Sequence, residues 1–344
     1  MSSSIFNFEP LARAWRLPLN EKLRIALLAA VFAGIVHAGA TLLPADRAEP
    51  NHRTAAVAAL DDQTRVLVLG SSHVRSGVNP AWLSMPAMNL AVSSANYQVL
   101  DLVLDANLDR APHVELALIE LDIWLLLSDT LREYGRDLSL LYDMGVPSDR
   151  LAASAPQRAA LAWRRLFHDG YAAPLVSRRK WTPAGLLAER NAAPVTPGFA
   201  SSVRRIVPSG DGHRTLAYFQ RKTEVSLDVQ LRRNLAALER VIDTLHAHGC
   251  RVVLVRTPHH DSYWAHRDPA YDQAEAVALA ALRERLGGRM PAVWDFSRLP
   301  GLDAGHFKDA NHLNHAGAAT FTAVLDAKIT AMLDVTDSAL VRAD

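Results

Sequence analysis

Residues 65–80 read RVLVLGSSHVRSGVNP, and the junction inside them constrains this chain more than any other feature. Arg65 to Leu69 is a short apolar run rich in β-branched residues and bounded by a glycine, the pattern of a buried strand. Gly70, Ser71, Ser72 and His73 follow at once, with no room for a loop. A small residue at the end of a buried strand lets the backbone turn sharply. The next side chains then stand at the carboxyl edge of the sheet, where open α/β sheets hold their ligands. A serine at that edge gains backbone N–H donors aimed at any oxyanion formed on it, as a serine nucleophile requires. A plainer alternative is that Ser71 and Ser72 only cap the helix that follows.

A second stretch near the other end bears on that choice: Asp309-Ala310-Asn311-His312-Leu313-Asn314. An acid and a histidine three residues apart can face the same way in a turn entering a helix. The carboxylate then holds the imidazole tautomer while the other ring nitrogen takes a proton from serine. Alone, His312 would read as a surface or capping histidine. With Asp309 and a strand-end serine it completes a candidate triad in the chain order Ser72, Asp309, His312.

These two blocks, GSSH after the first strand and DxxHLNxxGA before the last helix, resemble the first and last blocks of the SGNH/GDSL hydrolase superfamily. The likeness is closest to its membrane-anchored bacterial branch, which includes the D-alanyl-lipoteichoic acid protein D and the alginate and peptidoglycan O-acetylation proteins. It covers roughly residues 60–335, with a long unmatched middle. The resemblance implies Ser72 as nucleophile, His312 as base and Asp309 as its orienter. Two positions depart from the pattern. Where many relatives carry an oxyanion-hole glycine the chain reads Asn89-Leu90-Ala91-Val92-Ser93-Ser94, and where they carry Gly-x-Asn-Asp it reads Glu120-Leu121-Asp122. The oxyanion and pocket candidates are therefore Ser71, Ala91, Ser93, Ser94 and Asp122, together with His259 and His260 from a later strand end.

At the N-terminus, residues 25–43 run IALLAAVFAGIVHAGATLL, with no charged side chain. Nineteen such residues just span a bilayer as a helix. Arg13, Arg16, Lys22 and Arg24 precede the run, so residues 1–24 are expected in the cytoplasm and the bulk of the chain outside the inner membrane. A cleaved signal peptide, marked by Ala38-Gly39-Ala40, and a buried core helix are the alternatives. Residues 44–62 read as a tether, and residues 336–344 as a tail.

The 344 residues carry a net charge of +1 and no basic stripe, which argues against a nucleic-acid partner. With one cysteine, Cys250, an intramolecular disulfide and a cysteine-based metal cage are excluded. That residue reads as a small buried side chain at the start of a strand.

Between the two blocks, residues 96–108 show a one-sided helical pattern, and 113–123 (HVELALIELDI) reads as a central strand whose end brings Glu120 and Asp122 to the edge of Ser72. The acids alternatively read as a solvated strand end or as a partner for an arginine. Residues 124–225 break the alternation of strand and helix and read as an insertion, with helical runs at 154–167 and 182–190. Its Arg178, Arg179, Arg204 and Arg205 either face an anionic glycan or lipid headgroups, or are ordinary solvated charge. A helix from Ser226 closed by Gly249, a strand at 251–255, a helix at 274–286, a short strand at 292–296 and a helix capped by Asn314 complete the chain. Adjacent histidines rarely face one ligand, so His259 and His260 read as pocket residues and no metal or cofactor is expected. Tyr263 and Trp264 read either as a sugar-stacking pair or as core.

Alternation of this kind predicts an α/β domain over 63–335, a parallel sheet with helices on both faces. The resemblance makes it a three-layer flavodoxin-like sheet with a large insertion. The expected function is a membrane-anchored serine O-acyltransferase or esterase acting on acyl groups, acetyl above all, of a bacterial envelope polysaccharide. The resemblance also implies a multi-pass membrane acyltransferase as partner. An SGNH-like glycan-binding or scaffold protein whose chemistry has decayed is the alternative, and a plain esterase a third.

Overall fold

The computed structural model describes residues 52–129 and 227–341, with shorter stretches at 21, 23, 141–142, 144–147, 150–151, 196–203, 205–206 and 212. The expected anchor at 25–43, the helical runs at 154–167 and 182–190, and Arg178, Arg179 and Arg204 lie outside the described residues.

Five strands form one parallel sheet: β1 (Val66–Leu69), β2 (Ala87–Asn89), β3 (Leu116–Glu120), β4 (Arg251–Arg256) and β5 (Ala292–Asp295). Their spatial order is β2-β1-β3-β4-β5, which is the order of flavodoxin-like doubly wound sheets. Every residue of β1 and β3 is buried, as strands covered on both faces must be. The chain steps outward from β1 to β2, then returns past β1 to β3. That reversal is the topological switch point, and Ser72 stands directly after β1 beside it.

Eight helices are described: α1 (His52–Ala58), α2 (Ser72–Gly77), α3 (Tyr97–Asn107), α4 (Ile123–Leu127), α5 (Leu227–Ala247), α6 (Asp261–His266), α7 (Pro269–Leu286) and α8 (His315–Val341). The main ones fall into two groups by their packing. Helices α3, α5 and α7 pack in sequence, while α2 packs against α8. Asn96 starts α3 by accepting the Val99 amide at 3.0 Å. Gly249, at φ +82°, adopts the left-handed backbone that turns the chain from α5 into β4. Cys250 is buried one residue before β4, as expected.

Several boundaries differ from the sequence expectation. The tether carries α1, whose Ala56 and Val57 join the core, because an alanine-rich stretch is a good helix former once it has a face to bury. The expected strand at 113–123 ends at Glu120; Asp122 then accepts the Trp124 amide at 2.8 Å and starts α4. Asn234 of α5 donates to the carbonyl of Leu126 at 2.7 Å and fixes that helix to the sheet layer. The expected tail continues α8 as far as Val341. Among the described residues, His315–Leu333 of α8 is long and apolar enough to cross a membrane, and its Phe321, Leu325 and Ile329 are buried in the core.

After β5 the chain forms a small antiparallel hairpin, β6 (Phe307–Asp309) and β7 (His312–Leu313), which leads straight into α8.

Candidate active site

Ser72, Asp309 and His312 meet at the carboxyl edge of the sheet. The Ser72 hydroxyl lies 2.7 Å from His312 Nε2, and His312 Nδ1 lies 2.8 Å from Asp309 Oδ1. Asp309 Oδ1 also accepts the backbone amides of His312 at 2.9 Å and Asn311 at 3.2 Å. The acid and the histidine sit on opposite strands of the hairpin, not in the turn entering a helix that the spacing predicted. A tight hairpin closes the same three-residue separation more rigidly, because its backbone pairing fixes both side chains.

The charges suit proton transfer. Burial pushes His312 down to about 4, and the neighbouring His73 and Lys308 add to this against the pull of Asp309. The ring is therefore neutral near pH 7, with Nε2 able to accept a proton. Burial works against ionised Asp309, but its hydrogen bond and charge attraction to His312 outweigh this and hold its carboxyl below the usual range. His312 keeps 19% of its side-chain surface exposed, so the base can reach a substrate.

Beneath this line lies a second, buried group. Glu120, at the end of β3, accepts the Ser71 amide at 2.5 Å, the Ser71 hydroxyl at 2.9 Å and the His73 Nδ1–H at 2.7 Å. The other nitrogen of His73 meets the Asn311 side-chain amide at 2.7 Å. A Cβ at Gly70 would fall 2.5 Å from Glu120 Cβ and Oε2, so the carboxylate reaches its partners only because residue 70 is glycine. Neither His73 nor Asn311 stood out in the sequence. The signal was their position, each next to a member of the triad.

Several expected pocket residues turn out to have structural duties. Ser71 is the N-cap of α2, and its amide and hydroxyl are engaged by Glu120, so it supplies no oxyanion donor. The Ala91 amide is likewise engaged, by Asn89 Oδ1 at 3.0 Å. The Ser93 hydroxyl accepts from Arg75 at 2.7 Å, and Ser94 adopts φ +59°, the left-handed turn that a glycine would make without strain. Ser72 opens α2, where the first N–H groups of a helix have no intrahelical acceptor, so its own amide is the donor best placed for an oxyanion.

Glu120 and Asp122 are buried, which overturns the solvated reading of both. His260 caps α6 by accepting the Ser262 amide at 3.1 Å, and the cleft beside it holds none of the triad. His259 is buried behind His73, their ring centroids 5.2 Å apart. Tyr263 is fully buried against His259, its ring stacked at 4.4 Å, which makes it core and not a sugar platform.

His73, Asp122 and His259 bring metal-ligand atoms within 4.8 Å of one another. His73 has both ring nitrogens engaged by Glu120 and Asn311. That leaves Asp122 and His259, fewer than the three protein ligands of a catalytic zinc.

No protein-family model matches the chain, and no curated protein is significantly similar to it.

Proposed function

We propose that this protein is a serine enzyme of the SGNH/GDSL kind that moves an acyl group through an acyl-serine intermediate. One observation carries the reading: the unbroken line from Ser72 through His312 to Asp309, at 2.7 and 2.8 Å, at the switch point of a parallel α/β sheet. Ser72 Oγ attacks the acyl carbonyl as His312 Nε2 takes its proton. The tetrahedral oxyanion faces the Ser72 amide. Collapse expels the alcohol, which leaves with the proton from His312, and Ser72 keeps the acyl group. A second hydroxyl, from water or a sugar, then attacks the acyl carbon as His312 takes its proton. The Ser72–acyl bond breaks, His312 returns the proton to Ser72 Oγ, and the acyl group leaves on the second oxygen.

The substrate class follows from the resemblance and from the N-terminus. Residues 25–43 read as an uncleaved anchor with the catalytic domain outside the inner membrane, and the acyl acceptor or donor as an envelope polysaccharide, with acetyl as the group moved. An anchored enzyme suits collection of an acyl group from a multi-pass membrane acyltransferase, which favours transfer over hydrolysis. The competing scaffold reading draws on the engaged amides of Ser71 and Ala91, which leave fewer oxyanion donors.

Fluorophosphonate labelling of the full chain in detergent tests the serine. Wild type is expected to label and Ser72→Ala to remain unlabelled; a wild type that does not label supports the scaffold reading. Incubation with an activated acetyl ester and a panel of envelope glycans then separates the two chemistries. A glycan that speeds turnover and becomes acetylated marks a transferase, and rapid hydrolysis indifferent to every glycan marks an esterase.

A further inference from the structure

We infer that Glu120, His73 and Asn311 are positioning residues, a buried second line that sets the distance between the serine turn and the acid–base hairpin. The inference rests on the serine-enzyme reading for its effect on turnover, and on geometry alone for the link itself.

Ser72 and His312 belong to separate pieces of the chain, and a single hydrogen bond between them is a weak way to fix their spacing. Glu120 holds the serine turn from both sides, through the amide and hydroxyl of Ser71 before it and the ring of His73 after it. His73 then carries the connection across to Asn311. Asn311 lies between Asp309 and His312, and its own backbone amide is tied to Asp309. Thus the same imidazole touches the strand end behind the nucleophile and the turn that carries the base. Glu120, His73 and Asn311 are each buried at 4% exposure or less, so water does not compete for these bonds.

The residue types fit the task. His73 bridges the two sides because its ring nitrogens point in opposite directions. Asn311 can offer N–H to a neutral ring or, with its amide turned over, a carbonyl to a charged one. Glu120, Asp122 and Asp309 face His73, as do the rings of His259 and His312; Asp309, Lys308 and His73 face His312. The carboxylates outweigh burial and raise the pKa of His73, so this ring is charged at the pH where His312 takes up its proton.

The test uses two variants that each keep one half of the bridge. In His73→Asn the side-chain amide can occupy the place of Nδ1, holding Glu120 but falling short of Asn311. In His73→Gln it can occupy the place of Nε2, reaching Asn311 but leaving Glu120. A third variant, Asn311→Ala, removes the far end with little change of bulk. Each full-length protein in detergent is followed by activated-ester turnover and by the titration of His312 in nitrogen-15 histidine spectra. A loosened geometry costs about 10²-fold in kcat with KM little changed. The His73→Asn/Asn311→Ala double variant is expected to lose no more than either single one. The His312 midpoint is expected to rise in both His73 variants, where the neighbouring positive charge is gone. Turnover within threefold of wild type and an unmoved His312 midpoint, whatever the melting temperature does, would overturn the inference. If the wild type itself turns over no ester while the midpoint still moves, it is the serine-enzyme reading that fails and the link that stands.

Discussion

His312 with Asp309 and His73 with Glu120 are chemically the same pair, at 2.8 and 2.7 Å, with their rings 4.9 Å apart. Their environments drive them in opposite directions. His73 is the more buried, yet three carboxylates, Glu120, Asp122 and Asp309, outweigh the burial and raise its pKa. His312 faces one carboxylate and two positive neighbours, so burial prevails and its pKa falls to about 4. The number of charges around each ring decides the sign, and burial alone would have predicted the reverse order. The free valences differ too. His73 has protein on both nitrogens, while Nε2 of His312 points at a hydroxyl. A histidine–carboxylate pair becomes a base only where one nitrogen is left for the substrate side.

The sharpest way to break this comparison is to disable each pair separately. Ser72→Ala or His312→Ala is expected to lower turnover by about 10⁴-fold or more, with no further loss in the double variant, since the residues act as a unit. Asp309→Asn is expected to be equally severe or somewhat milder, because it spoils the tautomer and leaves the nucleophile in place. Steady-state kinetics on an activated ester reads all of these; a Ser71→Ala variant that lost activity while Ser72→Ala kept it would reassign the nucleophile.

The buried pair should show its effect first in stability. Glu120→Gln keeps one acceptor oxygen but sets an NH2 group against either the Ser71 amide or the His73 Nδ1–H, and leaves the buried His73 without its counter-charge. Breaking a buried pair costs about 3–5 kcal/mol, read by urea titration. For Asp309→Asn, whose carboxylate is 29% exposed, a loss of about 2 kcal/mol or less is expected in the same urea titration. Equal losses would mean that the two pairs are not distinguished by burial.

A pH series sharpens the opposite shifts. In the proposed mechanism neutral His312 is the active form, so kcat/KM should hold through pH 6.5 and fall only as the pH approaches about 4. In stability the signs also oppose. His312 binds its proton more weakly folded than unfolded, so it costs stability as pH falls through about 6.5, with no further loss below about 4. His73 binds its proton more tightly when folded, so its contribution is full below about 6.5 and is lost as pH rises through its raised pKa. Urea titrations of His312→Gln and His73→Gln across this range should therefore diverge from wild type in opposite directions.

The smallest effect belongs to His260, the histidine that only caps. His260→Ala should cost about 1 kcal/mol and leave turnover within threefold, measured on the same ester. A larger loss of turnover would return His260 to the pocket.

The α/β sheet and the meeting of a strand-end serine with Asp309 and His312 were legible because each rests on a local pattern. The flavodoxin-like order and the choice of Ser72 over Ser71 came with the resemblance. The apolar run ending in Gly70 marks a strand and its edge, and three-residue spacing marks Asp309 and His312. What stayed hidden was set by partners far along the chain. Ser71 looked available for an oxyanion until Glu120, 49 positions away, claimed it. His73 and Asn311 lie 238 positions apart, and no periodicity announces such a bond. Glu120 and Asp122 looked like a wet strand end because two acids in three residues carry no sign of the histidine and helix start they serve. Tyr263 reads the same whether it faces a sugar or the core.

Ser72 and His312 are separated by 240 positions. At about 5–20 residues per second of synthesis, roughly 12–48 s pass between the making of one and the making of the other. Throughout that interval the strand and the turn behind Ser72 can exist, but the hydroxyl has no proton acceptor and is as inert as any alcohol. If Ser72 is the nucleophile proposed above, the making of the hairpin is itself the switch. A translation product that ends between residues 72 and 311 carries the serine without its base, and on that reading it does no chemistry on whatever lies nearby.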